Sequence, residues 1–357
     1  MTVFDHIEFH NHEQVLFCND PSVGLKAIIA IHSTSLGPAA GGCRMFPYQN
    51  TEQALTDVLR LSRGMSHKNA MGGLPLGGGK SVIIADPSAP GKQKLLKAFT
   101  RFVQNLGGEY WTAIDIGTTQ EDASFMHQHC DYVFALIDPS KNRHDPSWFT
   151  SLGGLVSIKA VVEHQFKTDN LKGIKIAIQG CGKTGAYLCE LLHKEGAELL
   201  VSDVRESAMN VMVEKYGAIP VAPEDIYSVD ADVFAPCAMG AILNEVTIDQ
   251  LKFSAIAGLA NNQLATLKDG ERLGEKGILY APDYIANAGG MLYASEDIFD
   301  SNEQERSIKR IHGLKDTLLN VFKEAELTGK STQEIADEMA ENIIHSGKRK
   351  TEDLSPV

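Results

Sequence analysis

The sequence predicts an α/β fold, with two domains either side of a cleft and a doubly wound parallel sheet in the second. Two observations support this fold class. Apolar, β-rich runs alternate with helical patterns along nearly the whole chain. In addition, the 357 residues exceed the ~250 at which a single hydrophobic core usually stops growing. A polar, proline-bearing stretch over residues 138–146 is typical of an interdomain linker.

We therefore expect one domain over residues 1–140 and a second over residues 146–330. The pattern is helical from about residue 303 to residue 345, and the part over residues 330–345 would pack back onto the first domain. Residues 346–357 are polar, and we expect them to form a disordered tail.

In the first domain, continuous apolar runs predict strands, and apolar residues at helical spacing predict helices. The strands cover residues 25–32, 81–85 and 110–116, and the helices cover a segment that opens at Thr51 and residues 92–106. In the first of these helices, an apolar stripe runs through Ala54, Val58, Leu61 and Met65, and it continues to Lys68.

The second domain repeats the alternation of strands and helices. A helix over residues 155–165 precedes a strand over residues 174–178, a glycine-rich turn and a helix that ends near Lys194. A further strand covers residues 198–203. Shorter apolar runs predict three more strands, over residues 233–235, 255–257 and 278–280.

Composition narrows the class of protein. Hydrophobic residues make up 43% of the chain and charged residues 22%, as in ordinary soluble proteins. The formal net charge of −13 argues against nucleic acid or an anionic membrane surface as a partner. No apolar run is long enough to span a bilayer, and the first residues do not resemble a signal peptide. The six cysteines contain no C-x-x-C pair, which disfavours a metal cluster and favours the cytoplasm.

Residues 180–185 (GCGKTG) match the phosphate-binding pattern G-x-G-x-x-G. The context supports the match, because a buried strand precedes the pattern, a helix follows it, and a second strand ends at Asp203. Gly180 would permit the tight turn, Gly182 would let a pyrophosphate approach, and Gly185 would let the helix pack closely on the strand. The second domain is therefore predicted to be a Rossmann-type domain that binds a dinucleotide.

Three further residues refine this cofactor prediction. Lys183 and Thr184 lie just before the following helix, whose N-terminus suits phosphates. Asp203 would accept hydrogen bonds from the adenosine ribose and would repel a 2′-phosphate, so NAD is favoured over NADP. Arg205 leaves some use of NADP open, because a nearby arginine usually accommodates that phosphate. The alternative is a purely structural turn, with Asp203 capping the strand end.

Residues 75–80 (PLGGGK) carry three consecutive glycines and then Lys80, at the start of a buried strand. We interpret the glycines as a loop that a substrate can approach closely, because they lack side chains and adopt backbone angles closed to other residues. Burial disfavours the charged form of Lys80, as a general base near neutral pH requires. The alternative is a flexible surface turn that ends in a solvated lysine.

Lys68 and Asp115 are the other candidates for catalysis in the first domain. Lys68 continues a buried stripe, where a lysine suits an anion such as a carboxylate; alternatively, its ammonium reaches water at the helix end. Asp115 follows a strand, where α/β sheets bind ligands; alternatively, it caps a helix, a role that Thr118 or Thr119 could also take. One lysine would anchor an anion, the other would activate water, and Asp115 would shuttle protons.

Six segments, in order over about residues 10–345, resemble the signatures of the Glu/Leu/Phe/Val amino-acid dehydrogenases, most closely those of the leucine-specific members. The segments are residues 37–45 (GPAAGGCRM), 64–70 (GMSHKNA), 77–80 (GGGK), 115–119 (DIGTT), 257–263 (AGLANNQ) and 282–290 (PDYIANAGG). The resemblance implies NAD-dependent, reversible oxidative deamination of an L-amino acid to a 2-oxo acid and ammonium. It also implies a homo-oligomer, from dimer to octamer.

The resemblance further implies a role for each site residue. Lys68 would bind the substrate carboxylate, Lys80 would activate the water that attacks the imine, and Asp115 would exchange protons with the amino nitrogen. Gly41 and Met65 match positions that bind the substrate. Thr150 and Asn262 match positions that contact the nicotinamide or the amino group.

The resemblance also implies an uncharged pocket for the substrate side chain, lined by Ala40, Ala113, Met291 and Ala294. The absence of charge argues against glutamate as substrate, and three alanines make the pocket roomier than leucine needs. Branched aliphatic amino acids are the first expectation, while phenylalanine or another large apolar amino acid remains open. The chain departs from the family pattern in three places: Ala40 replaces a leucine, Ile114 an acidic residue and His67 a tyrosine.

Two other classes of function compete with this one. A nicotinamide oxidoreductase acting on a 2-hydroxy acid would need an arginine clamp and a histidine acid/base, whereas the lysine pair with Asp115 suits imine chemistry better. A non-catalytic sensor of NAD or an amino acid would not need Lys80 and Asp115, and both are present.

Overall fold

The apolar runs form the strands of two separate sheets, one in each of two compact units. The computed structural model describes residues 3–141, 143–299, 301 and 303–352. The first unit contains the chain up to His144, Ala294–Glu303 and the residues from Ala340 onward; the second contains Asp145–Tyr293 and Gln304–Met339. Among the described helices, none combines the length and apolar character needed to cross a membrane.

The first unit is built on a mixed sheet. In chain order its elements are β1 (Gln14–Asp20), β2 (Leu25–Ser33), β3 (Ala39–Phe46), α1 (Thr51–Met71), β4 (Gly77–Ile84), α2 (Lys92–Asn105), β5 (Tyr110–Ile114) and α3 (Gln120–His127). The strands lie in the order β1-β2-β4-β3-β5. Strand β2 pairs antiparallel with both β1 and β4, whereas β3 runs parallel to both β4 and β5.

Helices cover both faces of this sheet, which explains why β2 appears in the sequence as a continuous apolar run. Ile28 and Ala30 of β2 pack with Val58 and other buried residues of α1. The alternate residues of the strand, Ile29 and Ile31, belong to a second core with buried residues of α2 and α3. Because side chains alternate across a strand, the two cores lie on opposite faces of the sheet.

The second unit is built on a wholly parallel sheet. In chain order the remaining elements are α4 (Ser147–Phe166), β6 (Lys175–Gln179), α5 (Lys183–Lys194), β7 (Glu198–Ser202), α6 (Glu206–Tyr216), β8 (Ile219–Pro220), β9 (Val233–Pro236), α7 (Glu245–Ile248), β10 (Ala255–Ile256), α8 (Leu267–Glu275), β11 (Leu279–Tyr280), α9 (Asp283–Ala286), α10 (Gly289–Ala294), α11 (Gln304–Thr328) and α12 (Thr332–Glu352). The strand order β8-β7-β6-β9-β10-β11 is the 3-2-1-4-5-6 order of a doubly wound dinucleotide-binding sheet. The predicted α/β class and parallel sheet are confirmed.

The C-terminal segment differs from its prediction. The helical pattern over residues 303–345 is divided into α11 and α12, because Gly329 adopts a left-handed conformation, with φ of +72°, that ends α11. The expected disordered tail is wrong for residues 346–352, which continue α12. Gly347 packs tightly there, since a Cβ on it would lie 2.6 Å from the carbonyl oxygen of Ser35. The rest of the predicted tail lies outside the described residues.

The elements that were not predicted include strands β1, β3 and β8 and helices α6, α7 and α8. Strand β3 carries consecutive glycines, Gly41 and Gly42, which are rare in strands and predict a loop. A Cβ on Gly41 would overlap the backbone carbonyl of Gly79 in β4, and a Cβ on Gly42 would overlap that of Ile114 at the end of β5. Close packing in the sheet therefore requires both glycines.

Candidate active site

The turn over residues 180–185 has the geometry that its glycines suggest. Gly180 has a φ of +102°, a conformation that favours glycine. A Cβ on Gly185 would overlap the carbonyl oxygen of Gly180, so helix α5 packs directly on the turn. At Gly182 the space is open, and the nearest group to a Cβ there would be the guanidinium of Arg205, at 3.9 Å. The turn can therefore receive a phosphate against its backbone.

Helix α5 begins at Lys183, with Gly182 at its N-cap. Because glycine has no side chain to cap the helix, the first N–H groups are available to an anion. The Lys183 ammonium pairs with Asp145, and the carbonyl of Thr184 accepts a hydrogen bond of 2.8 Å from Ser151 on α4. These contacts hold the start of the helix in place.

Asp203 follows β7 and binds the same turn. One carboxylate oxygen accepts a hydrogen bond of 2.7 Å from the backbone N–H of Cys181, and the other accepts one of 2.8 Å from the backbone N–H of Arg205. The Arg205 side chain also pairs with Asp203, at 3.3 Å. Burial raises the pKa of Asp203, but the hydrogen bonds from Arg205 outweigh it and hold the pKa below its usual range. The anionic carboxylate of Asp203 thus lies beside the turn at residues 180–185, and the guanidinium of Arg205 lies next to it.

The other predicted residues of the second unit are Thr150, Asn262 and Met291. The Thr150 hydroxyl donates a hydrogen bond of 3.1 Å to the carbonyl of Pro146 and packs against Gly290, next to the partly exposed Met291. Asn262 has a φ of +53°, which is uncommon for a residue other than glycine. Its carbonyl accepts a hydrogen bond of 2.6 Å from a backbone N–H.

In the first unit, Lys80 and Asp115 form an ion pair. Lys80 lies within β4 and Asp115 directly follows β5, and their side chains are 7% and 15% exposed. Arg44 of β3 donates a hydrogen bond of 3.3 Å to the other oxygen of Asp115. Burial raises the pKa of Asp115, but the Lys80 ammonium and then the Arg44 guanidinium outweigh it and hold the pKa well below its usual range. Asp115 is therefore a buried carboxylate between two cations.

Asp115 does not cap a helix. Thr119 is the N-cap of α3, and its side chain accepts a hydrogen bond from the backbone of Asp122. The hydroxyl of Thr118 accepts the backbone N–H of Asp115 at 2.8 Å and donates to the carbonyl of Cys43 at 2.9 Å. These bonds fix the turn after β5, so the Asp115 carboxylate is held facing β3 and β4.

The prediction of a glycine loop before Lys80 is wrong, since strand β4 begins at Gly77. A Cβ on Gly78 would overlap the backbone of Ser66 in α1, and one on Gly79 would lie 2.7 Å from the ring of Tyr110. The glycines are required because a helix and an aromatic ring pack against the strand, and their φ values are not in the left-handed region. Lys80 therefore projects from a rigid strand.

The predicted substrate-binding residues of the first unit lie on neighbouring elements. Lys68 is half-buried in the last turn of α1. A Cβ on Gly41 would lie 3.1 Å from Cγ of Met65, so these two residues are in contact. Ala40 and Ala113 are buried on the adjacent parallel strands β3 and β5, and Ala294 is buried in the same unit.

Sequence reasoning missed three residues of this cluster: Arg44, Asp57 and Tyr48. Arg44 pairs with Asp57 at 2.8 Å, and the same carboxylate oxygen of Asp57 accepts the Tyr48 hydroxyl. Arg44 lies in the segment 37–45 that resembles the family signature, which was the one available signal. Nothing in the local pattern links it to Asp115, 71 residues later.

Two family models and several known proteins match this chain. The family model for the Glu/Leu/Phe/Val dehydrogenase dimerisation domain matches residues 12–132, and that for Glutamate/Leucine/Phenylalanine/Valine dehydrogenase matches residues 200–310. The chain is 45% identical over 349 residues to leucine dehydrogenase of Geobacillus stearothermophilus, covering 98% of this chain and 95% of that protein. It is 44% identical over 354 residues to phenylalanine dehydrogenase of Bacillus thermotolerans, covering 98% and 92%. The crystal structure of L-tryptophan dehydrogenase from Nostoc punctiforme matches with a TM-score of 0.84 and 44% identity, covering 95% of this chain and 97% of that chain.

Proposed function

This chain belongs to the Glu/Leu/Phe/Val dehydrogenase family and is an amino-acid dehydrogenase, and on that premise we propose that it oxidatively deaminates an apolar L-amino acid with NAD. The amino acid, water and NAD would give the 2-oxo acid, ammonium, NADH and a proton, and the reaction is reversible. The observation that carries the proposal is the buried pair of Lys80 and Asp115. Imine chemistry needs a base for water and a group that exchanges protons with nitrogen, held close together.

Each residue has one task in this proposal. Lys68 binds the substrate carboxylate and thereby positions the α-carbon. Asp115 takes a proton from the amino nitrogen as it becomes an iminium and returns one as ammonium leaves. Lys80 activates the water that attacks the iminium carbon. Because Lys80 is paired as an ammonium in the resting arrangement, it acts as a base only after losing a proton, so we expect deamination to be faster at alkaline pH.

The second unit fits a nicotinamide dinucleotide. The glycine turn and the first turn of α5, at Lys183 and Thr184, would hold the pyrophosphate, and Asp203 would hold the adenosine ribose. The bound nicotinamide supplies the hydride acceptor. Thr150 and Asn262 are proposed to contact the nicotinamide or the substrate amino group. NAD is preferred to NADP in this proposal because Asp203 is anionic, whereas Arg205 beside it allows residual use of NADP.

Leucine and the other branched-chain amino acids are our first choice of substrate. Gly41 and Met65 would also contact the substrate. The proposed side-chain pocket is uncharged and carries three alanines, Ala40, Ala113 and Ala294, besides Met291. The same alanines support phenylalanine or another large apolar amino acid as the alternative. Relatives at similar identity are named for leucine and for phenylalanine, so the scaffold itself does not choose between the two.

We also propose that the chain works as a homo-oligomer in the cytoplasm. The family model over residues 12–132 describes a dimerisation domain, which supports assembly from dimer to octamer. Light scattering on the purified protein gives the mass directly, and a monomer would contradict this part of the proposal. The six cysteines are all free thiols, which supports a reducing compartment.

The test of the function is NADH formation, followed by absorbance at alkaline pH, with L-leucine, valine, isoleucine, methionine, phenylalanine, tryptophan and glutamate. Turnover with the aliphatic set is the expected result. Turnover only with aromatic substrates would keep the chemistry and change the specificity. No turnover with any of them, despite measurable NAD binding, would contradict the proposal and favour a sensor.

A further inference from the structure

The two oxygens of the Asp115 carboxylate have different partners. Oδ1 accepts hydrogen bonds from the backbone N–H of Ile116, at 2.5 Å, and from Nε of Arg44, at 3.3 Å. Oδ2 pairs with the ammonium of Lys80. Oδ1 therefore accepts hydrogen bonds from a backbone N–H and a buried guanidinium. Oδ2 faces Lys80, the residue that is proposed to act as the base.

Arg44 is itself held from a second side. Its Nη1 donates a hydrogen bond of 2.8 Å to Asp57, and the hydroxyl of Tyr48 donates to the same oxygen. Asp57 belongs to α1, the helix that also carries Lys68. The Arg44 side chain is only 16% exposed, so its guanidinium is a fixed bridge between Asp115 and α1. A lysine could not bridge both carboxylates in this way, because it lacks the planar fork.

We propose that Arg44 is a positioning residue for this reaction, which holds Oδ1 of Asp115 so that Oδ2 alone exchanges the proton. The inference rests on the function proposed above, in which Asp115 exchanges protons with the amino nitrogen. It adds a residue that does not touch the substrate and acts through Asp115.

The charged groups around Asp115 determine how kcat/KM should depend on pH if Arg44 has this role. The titratable groups that influence Asp115 or its partners are Lys80 of β4, Arg44 and Cys43 of β3, Tyr48 between β3 and α1, Tyr110 of β5, Asp57 of α1 and Asp122 of α3. Of these, the two cations stabilise the carboxylate, and Arg44 remains when Lys80 loses its proton. Lys80 and Asp115 form one ion pair and therefore titrate as a coupled pair, and deamination requires this pair to lose a proton, so the pair sets the acidic limb of the profile. Removing the Arg44 cation moves the midpoint of that limb up, and removing the negative charge of Asp57 moves it down.

The experiment compares the pH profiles of kcat/KM for deamination in the full-length enzyme and in its variants. In Arg44→Met the midpoint of the acidic limb is expected to move up by about one pH unit or more, and kcat is expected to fall more than KM rises. Arg44→Lys keeps the charge, so the midpoint of its acidic limb should stay near that of the wild type. Its kcat should lie between those of the wild type and Arg44→Met. Arg60→Met removes an exposed arginine of α1 that pairs at 3.8 Å with Glu8, and it should leave the profile unchanged.

A second variant gives the opposite sign. Asp57→Asn has nearly the same shape, removes one negative charge and leaves Asp115 as the one carboxylate that pairs with Arg44 in the described part of the chain. Its acidic limb should move down, so it tests the inference even if Arg44→Met fails to fold. A purely structural role would lower the rate at every pH without moving the limb. Profiles of Arg44→Met or Asp57→Asn that superimpose on the wild type after scaling would overturn the inference.

The wild type separates this inference from the proposed function. If the wild type does not turn over amino acids, the proposed function fails and the inference fails with it. If the wild type is active, Asp115→Asn is inactive and the Arg44 variants keep the wild-type limb, the proposed function stands and only the role of Arg44 is refuted.

Discussion

Replacing Lys80 with alanine is the most direct test of the proposed chemistry. The ammonium of Lys80 pairs with Asp115 in the first unit, whereas the turn at residues 180–185, the proposed phosphate site, lies in the second unit. The variant should therefore lose turnover and keep its affinity for NAD. A general base contributes about 10²–10⁴-fold to rate, so we expect kcat to fall by a factor in that range.

The structure also indicates how much stability the substitution costs. Removing one partner of a buried ion pair costs about 3–5 kcal/mol when the other charge is left uncompensated. Here Asp115 keeps Arg44 at 3.3 Å and the backbone N–H of Ile116 at 2.5 Å. We therefore expect a loss of about 1.5–3 kcal/mol, the usual value of a hydrogen bond to a charged group.

The assay measures NADH formation at saturating substrate, NAD binding by calorimetry and the free energy of unfolding in urea. Lys92→Ala is the matched control, because Lys92 pairs with Asp122 in the same unit, with side chains 20% and 11% exposed against 7% and 15% for Lys80 and Asp115, and neither residue belongs to the proposed site. It should cost a comparable amount of stability and leave kcat unchanged. Near-normal turnover in Lys80→Ala, or an equal loss of turnover in Lys92→Ala, would refute the reasoning.

Three further predictions concern the cofactor, the packing and the pH dependence of stability. Asp203→Ala should lower the ratio of kcat/KM for NAD over NADP by about 10-fold or more, through the loss of hydrogen bonds to a charged group; an unchanged ratio would contradict the ribose role. Gly78→Ala would force a Cβ into the backbone of α1 and should destabilise the fold by about 1–3 kcal/mol, whereas Gly64→Ala, with open space around it, should be neutral or stabilising in urea unfolding. His12 and His32 are buried, and burial lowers their pKa values to about 4 and about 3, so the unfolded chain binds protons that the folded chain does not. The stability that they contribute is present above pH ~6.5 and is lost as the pH falls, by at most about 1.4 kcal/mol per histidine per pH unit; urea unfolding that is independent of pH between about 7 and 5 would contradict this.

Local patterns were sufficient to predict the turn at residues 180–185 and the position of Asp203 in the second unit. The turn at residues 180–185 and Asp203 are close in sequence and joined by one helix, so their relative placement follows from a single strand–turn–helix–strand unit. In contrast, Gly41 and Gly78 lie in strands although glycines in succession predict loops. Their environment is set by neighbouring strands and a helix that come from elsewhere in the chain, and no local pattern contains that information.

What the sequence by itself determined is the kind of fold, with alternating strands and helices, and the amino-acid dehydrogenase family. It also predicted the turn at residues 180–185 as a dinucleotide site and Lys68, Lys80 and Asp115 as candidate reactive groups. Only the tertiary structure determined which charged groups lie beside Lys80 and Asp115, and therefore the protonation of the carboxylate. The pairing of Lys80 with Asp115 joins residues 35 positions apart, and the pairing of Arg44 with Asp115 joins residues 71 positions apart. The protonation of a buried carboxylate depends on the charges within a few ångströms of it, and the sheet order, with β3 between β4 and β5, brings those charges together.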